Sequence, residues 1–204
     1  YSNHKHLKIS YKQCVETTYK YSHFFRSNIV VVFLEMSMKL TPIQRQAIIV
    51  TWKAIKPQAP SFFRKCFTDL ENKSSKVKQI FYKTAVLGAF NRDGTLENPS
   101  VATIEEHVKL VIDMFNDIVQ NVEKHSEVII RVRRIGQAHA HLNQTCLFNP
   151  DIWDRFGETL MERFSSHDAV QKTREAGKAW RIVIATITGE LRYGFVSKAR
   201  SYTR

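Results

Sequence analysis

Apolar residues along this chain recur at intervals of three and four, and that spacing divides most of it into helices. Val128, Val132, Ile135 and His139 fall at i, i+4, i+7 and i+11, so a helix would carry all four on one buried face. Gly136 lies within the same turn and makes room for a close neighbour. A second long stripe, over Val101–Val122, aligns Ile104, His107, Val111, Phe115, Ile118 and Val122. Each of these two stripes contains one histidine.

The other elements follow from the same spacing. Thr41-Pro42-Ile43-Gln44 is a helix-start signature, with threonine as cap, proline in the first turn and glutamine three residues on. The helix it opens turns Ile48, Ile49, Trp52 and Ile55 inward and stops at Lys56-Pro57. A second helix over Pro60–Glu71 buries Phe63, Phe67 and Leu70. After a turn at 72–75, Lys76–Phe81 makes a short helical piece. Residues 82–100, with Gly88, Asp93-Gly94 and Asn98-Pro99, read as a long irregular connection. Ala140–Asn149 reads as a polar connection. Pro150-Asp151 starts a helix presenting Ile152, Trp153, Phe156, Leu160 and Phe164. The last helix, near Val170–Phe195, buries Trp180, Val183, Ile184, Ile187 and Leu191.

Composition narrows the class. Of 204 residues 43% are hydrophobic, and with five Pro and seven Gly this favours an all-α domain with a real core. Residues 1–38 stand apart as an extension: they mix aromatic and basic residues without a sustained period, and Met36 or Met38 is a candidate natural start. The domain itself spans 39–197, with a tail at 198–204. The formal charge of +12 favours anionic company. Without zinc-finger spacing, an RNP-like motif or a phosphate loop, it does not point to nucleic acid. Cys14, Cys66 and Cys146 are too few and too scattered for a disulfide framework. The apolar run Ile29–Leu34 is too short to span a bilayer. A soluble, cytoplasmic protein is expected.

A lone histidine on an apolar face is usually a core residue with satisfied nitrogens. Two of them, 32 residues apart on consecutive helices, change that reading. Packed side by side, such helices aim both imidazoles into one pocket from opposite sides, and iron in a porphyrin has one axial position on each face. Phe81 is placed to stack on the ring, and Val111 to crowd the space beside His107. His141 is a rival for His139, but it lies about 200° round the helix, so both cannot face one pocket.

Several separate anchors then make the chain resemble a globin, most similar to the neuroglobin-like and nematode-type branches, over roughly residues 39–197. Trp52 in VTWKAI matches the tryptophan of the family's first helix. Phe81 in KQIF matches its phenylalanine at the heme edge. His107 in EEHVKLVIDM matches the distal histidine, and His139 in RIGQAH the proximal one. Phe156-Gly157-Glu158-Thr159-Leu160 resembles the penultimate helix, and Ala179-Trp180 the opening of the last. The chain departs from the family in longer stretches between Phe81 and His107 and between His139 and Gly157, and in Ser74-Ser75 where a turn proline is usual.

The resemblance implies seven to eight helices around a heme, with His139 and His107 as metal ligands. Phe81, Val111, Ile135, Trp153 and either Phe63 or Phe67 would line the pocket. It further implies a diatomic ligand such as dioxygen, and it is compatible with a bis-histidyl, six-coordinate iron suited to redox signalling. An acidic redox partner or a small anion would be drawn to the basic surface, and a dimer is compatible with the pattern. The alternative is a globin enzyme handling nitric oxide, nitrite or superoxide with an external reductant, since no flavin or nicotinamide motif is present.

Overall fold

The computed structural model describes residues 39–91 and 103–202, with side chains of the first stretch described through residue 84. The elements are α1 (Pro42–Ile55), a 3-10 turn (Lys56–Gln58), α2 (Ala59–Lys73), α3 (Ser75–Asn91), α4 (Ile104–Gln120), α5 (His125–Ala138), α6 (Leu142–Cys146), α7 (Asp151–Ser165), α8 (Asp168–Gln171) and α9 (Arg174–Ala199). A last 3-10 turn covers Arg200–Tyr202. There is no strand among the described residues. The expected extension at 1–38 lies outside them.

Caps explain where the helices begin. Thr41 Oγ1 accepts from the Gln44 N–H at 3.2 Å while Gln44 Oε1 accepts from the Thr41 N–H at 3.1 Å, a reciprocal box satisfying two orphan donors of α1. Thr103 and Glu106 repeat the device at α4, which therefore starts at Ile104 and not at Val101. Glu105 and Glu106 add negative charge beside the positive end of that helix.

Four further expectations change. Ile49 is 41% exposed, because Ile48, Trp52 and Ile55 set the inward face of α1 and a neighbour is turned about 100° away. The piece expected to end at Phe81 continues to Asn91, so Phe81 sits within α3 and residues 82–91 are helical. The polar connection 140–149 holds a short helix, α6, and buries Cys146 and Phe148. The last helix begins at Arg174, capped by Thr173, and runs to Ala199. Val170 belongs to the separate turn α8.

Helix α9 is the axis of the core. It packs on α5, α7 and α1, while α2 packs on α4, α7 and α3. Trp180 on α9 is 1% exposed and lies 4.3 Å, ring to ring, from Phe164 on α7. Its indole N–H donates to Thr51 Oγ1 at 2.8 Å, and that hydroxyl donates to Ala47 O at 2.6 Å. Thr51→Val keeps the shape and removes the acceptor, stranding a buried N–H. Unfolding in urea should show a loss of about 1–3 kcal/mol, and an unchanged midpoint would mean that the indole finds another partner.

Two glycines allow α5 and α9 to touch backbone to backbone. A Cβ on Gly136 would stand 2.1 Å from the Leu191 carbonyl oxygen, and a Cβ on Gly194 would stand 2.2 Å from that of Arg133. The contact is reciprocal, each helix lodging its glycine against the other's main chain. Arg133 adds an ion pair to Glu190 beside it. No helix of the described residues is long and apolar enough to cross a membrane.

Candidate heme pocket

His107 occupies the first full turn of α4, its N–H bonded to Thr103 O at 3.1 Å. His139 is the C-cap of α5, one residue beyond the helix. The Ile135 carbonyl, one helical turn back, accepts from His139 twice. The backbone N–H reaches it at 3.3 Å and ring Nδ1 at 2.8 Å. A carbonyl only accepts, so Nδ1 carries the proton and Nε2 keeps its lone pair.

The two imidazoles come together across the α4–α5 interface. Their ring centroids lie 6.0 Å apart with planes at 72°. Around His107, Phe67 and Phe81 stand edge-on at 5.2 and 5.7 Å and touch each other at 5.5 Å. Phe156 stacks on Phe67 at 5.8 Å and 13°. Around His139, Trp153 stands edge-on at 5.1 Å and Phe148 at 6.1 Å. Val111 is buried on α4, one turn beyond His107. Ile135 is partly buried, packs on the core, and contributes its carbonyl.

Phe63 is elsewhere. It packs with Trp52, Phe115 and Phe164, so of the two aromatics left open on the second helix Phe67 is the one beside His107. His141 is exposed, with Nδ1 donating to Ala138 O at 2.8 Å, and takes no part in the ring cluster. Phe148 was not among the residues singled out from sequence. It lies inside a stretch too polar and short to show a period, and its aromatic character was the one available signal.

The electrostatics keep both imidazoles neutral. Burial, with His139 alongside, lowers His107 to about 4. Burial also lowers His139, opposed by the bond to Ile135 and aided by His141. Neutral imidazole is the form that ligates metal. Cys66, one residue before Phe67 on α2, is fully buried, and burial pushes its thiol up to about 12, with Arg163 pulling the other way. Cys146 is buried on α6; both thiols are free. Cys14 lies outside the described residues.

The donor set fits heme better than a bare ion. Among the described residues no group of three His, Cys, Asp or Glu gathers to hold a metal, whereas a protein-held zinc takes three or four such ligands. Two facing imidazoles suit an iron whose other four positions a porphyrin fills. The walls are apolar and aromatic, as a flat macrocycle requires. Trp153, only 6% exposed, has an indole N–H with no acceptor among the described residues, a donor left for the periphery of a bound group.

Comparison with known proteins identifies the family. The family model described as Globin matches residues 64–191. Globin-like protein 9 of Caenorhabditis briggsae is 45% identical over 165 residues, 81% of this chain and 66% of that protein. Globin-like protein 9 of Caenorhabditis elegans is likewise 45% identical over 165 residues, covering 65% of its own length. Globin-like protein 26 of Caenorhabditis elegans shares 21% over 94 residues, 46% of this chain and 51% of that protein. The chain thus spans just under two thirds of the length of the two more similar relatives. Its match runs from α2 through both histidine-bearing helices into α9, and the chain belongs to the globin family.

Proposed function

We propose that this globin binds heme between His139, the proximal ligand, and His107, the distal one, and acts in diatomic gas binding or redox signalling from a bis-histidyl resting state. The observation that carries the reading is the 6.0 Å separation of the two rings, with no third protein ligand gathered beside them among the described residues. Heme, when bound, supplies an iron that takes up a diatomic gas and changes by one electron. Everything else is done by the chain. His139 is oriented by the Ile135 carbonyl, which fixes its tautomer and raises the basicity of Nε2. His107 rests against Phe67 and Phe81 and has to withdraw before an outside ligand can enter. The +12 charge favours an acidic electron-transfer partner.

The visible spectrum of the dithionite-reduced, gas-free protein tests this directly. Sharp, split low-spin bands are expected, and His107→Leu should replace them with one broad high-spin band. An identical spectrum in the variant would remove His107 from the iron. A chain that takes up no heme on reconstitution would end the reading.

A further inference from the structure

A second concave site lies away from the histidine pair, where the start of α2 meets the α7–α8 corner. It is lined by Gln58, Ser61, Phe62, Lys65, Arg163, Ser166 and His167 and encloses about 180 Å³. Drug-sized ligands occupy cavities of about 300–1,000 Å³, so this one suits a small ion with a few waters. The geometry points to a binding site for a free tetrahedral oxyanion of the phosphate class, held by Lys65, His167 and Arg163. This assignment is independent of heme.

The donors come from three different elements. Lys65 on α2 makes no ion pair or hydrogen bond among the described residues. His167 Nδ1 accepts from the Ala169 N–H at 3.2 Å, so Nε2 carries the ring proton and donates whether or not the imidazole is charged. Its ring is held edge-on to Phe62 at 6.0 Å. Arg163 meets Asp69 through Nε and one terminal nitrogen, which leaves its other terminal nitrogen available.

Three donors from three elements, an ammonium, an imidazole N–H and one guanidinium nitrogen, suit an ion that offers several acceptor oxygens, and a phosphate-class ion has four. The serines do not compete as donors, since Ser61 Oγ donates to Gln58 O at 2.9 Å and Ser166 Oγ to Arg163 O at 3.1 Å. Asp69 offsets much of the Arg163 charge, so binding is weak and Lys65 supplies most of the net attraction. Phe62 joins this site to the core through Phe63 and Phe164, and α2 also carries Phe67 to His107.

Titration of the full chain with sodium phosphate at constant ionic strength, sodium chloride making up the balance, tests the site. Amide and ring NMR signals of Ser61, Phe62, Lys65 and His167 are expected to shift and saturate at millimolar phosphate. Lys65→Gln, at an exposed position, should weaken the saturation at least tenfold and leave the rest of the spectrum in place. His167→Gln should weaken it less. Linear shifts that chloride alone reproduces, or equal saturation in Lys65→Gln, would overturn the assignment.

Discussion

His139→Ala is expected to yield a folded chain that fails to keep heme. The packing of α5 against α9 does not depend on the imidazole, which lies beyond the helix end, so secondary structure should survive. Disturbing only the group that orients a metal-bound histidine costs about 10–100-fold in affinity, and removing the ligand itself costs more. Transfer of heme to an excess of an acceptor apoprotein should therefore speed up by more than about 100-fold. His141→Ala is the matched control: an exposed ring bonded to Ala138 O, two residues away, whose loss leaves transfer unchanged. Equal rates for His139→Ala and the wild type would transfer the proximal role elsewhere.

The largest stability effect belongs to a methyl group. Gly136→Ala places a Cβ 2.1 Å from the Leu191 carbonyl oxygen, main chain that no rotamer change can clear. Helices α5 and α9 must separate, at a cost of about 3 kcal/mol. At about 2–4 °C per kcal/mol for a chain of this size, Tm falls by roughly 6–12 °C. Gly189→Ala, on α9, is the contrast. Its Cβ meets nothing within 4 Å, so the helix propensity of alanine should raise stability by about 1 kcal/mol. Two identical substitutions with opposite signs in calorimetry would locate the effect in the helix crossing. A Gly136→Ala chain as stable as wild type would mean the backbones are not in contact.

The elements carrying this architecture were readable because each has one wet side. Helices α1, α2, α4, α5 and α7 alternate polar and apolar residues at the helical period, and the two histidines fell inside clean stripes. Residues 82–91 defeated the same logic. Gly88 within the segment, with Asp93-Gly94 and Asn98-Pro99 after it, read as a break and outweighed the helical period. Helix α6 has five residues, fewer than two turns, and no period can appear in that length. It is held by position-specific bonds: Asn143 Nδ2 donates to Phe148 O at 2.9 Å, and Leu147 turns left-handed at φ 57° to close it. That turn delivers Phe148 to His139. The choice between Phe63 and Phe67 was likewise beyond a pattern, since both lie on the buried face of α2 and only the position of α4 separates them.

The two described thiols bear on how this globin would meet an oxidant. A thiol attacks peroxides and disulfides as its thiolate, and Cys66, held near 12, stays protonated across the whole physiological range. Cys146 is sealed from solvent at 3% exposure. Neither is equipped to pass a sulfenic acid or a mixed disulfide to a partner. Sulfur at these two positions is packing, and a thiol-based response to oxidant at either one would first require the surrounding helices to open.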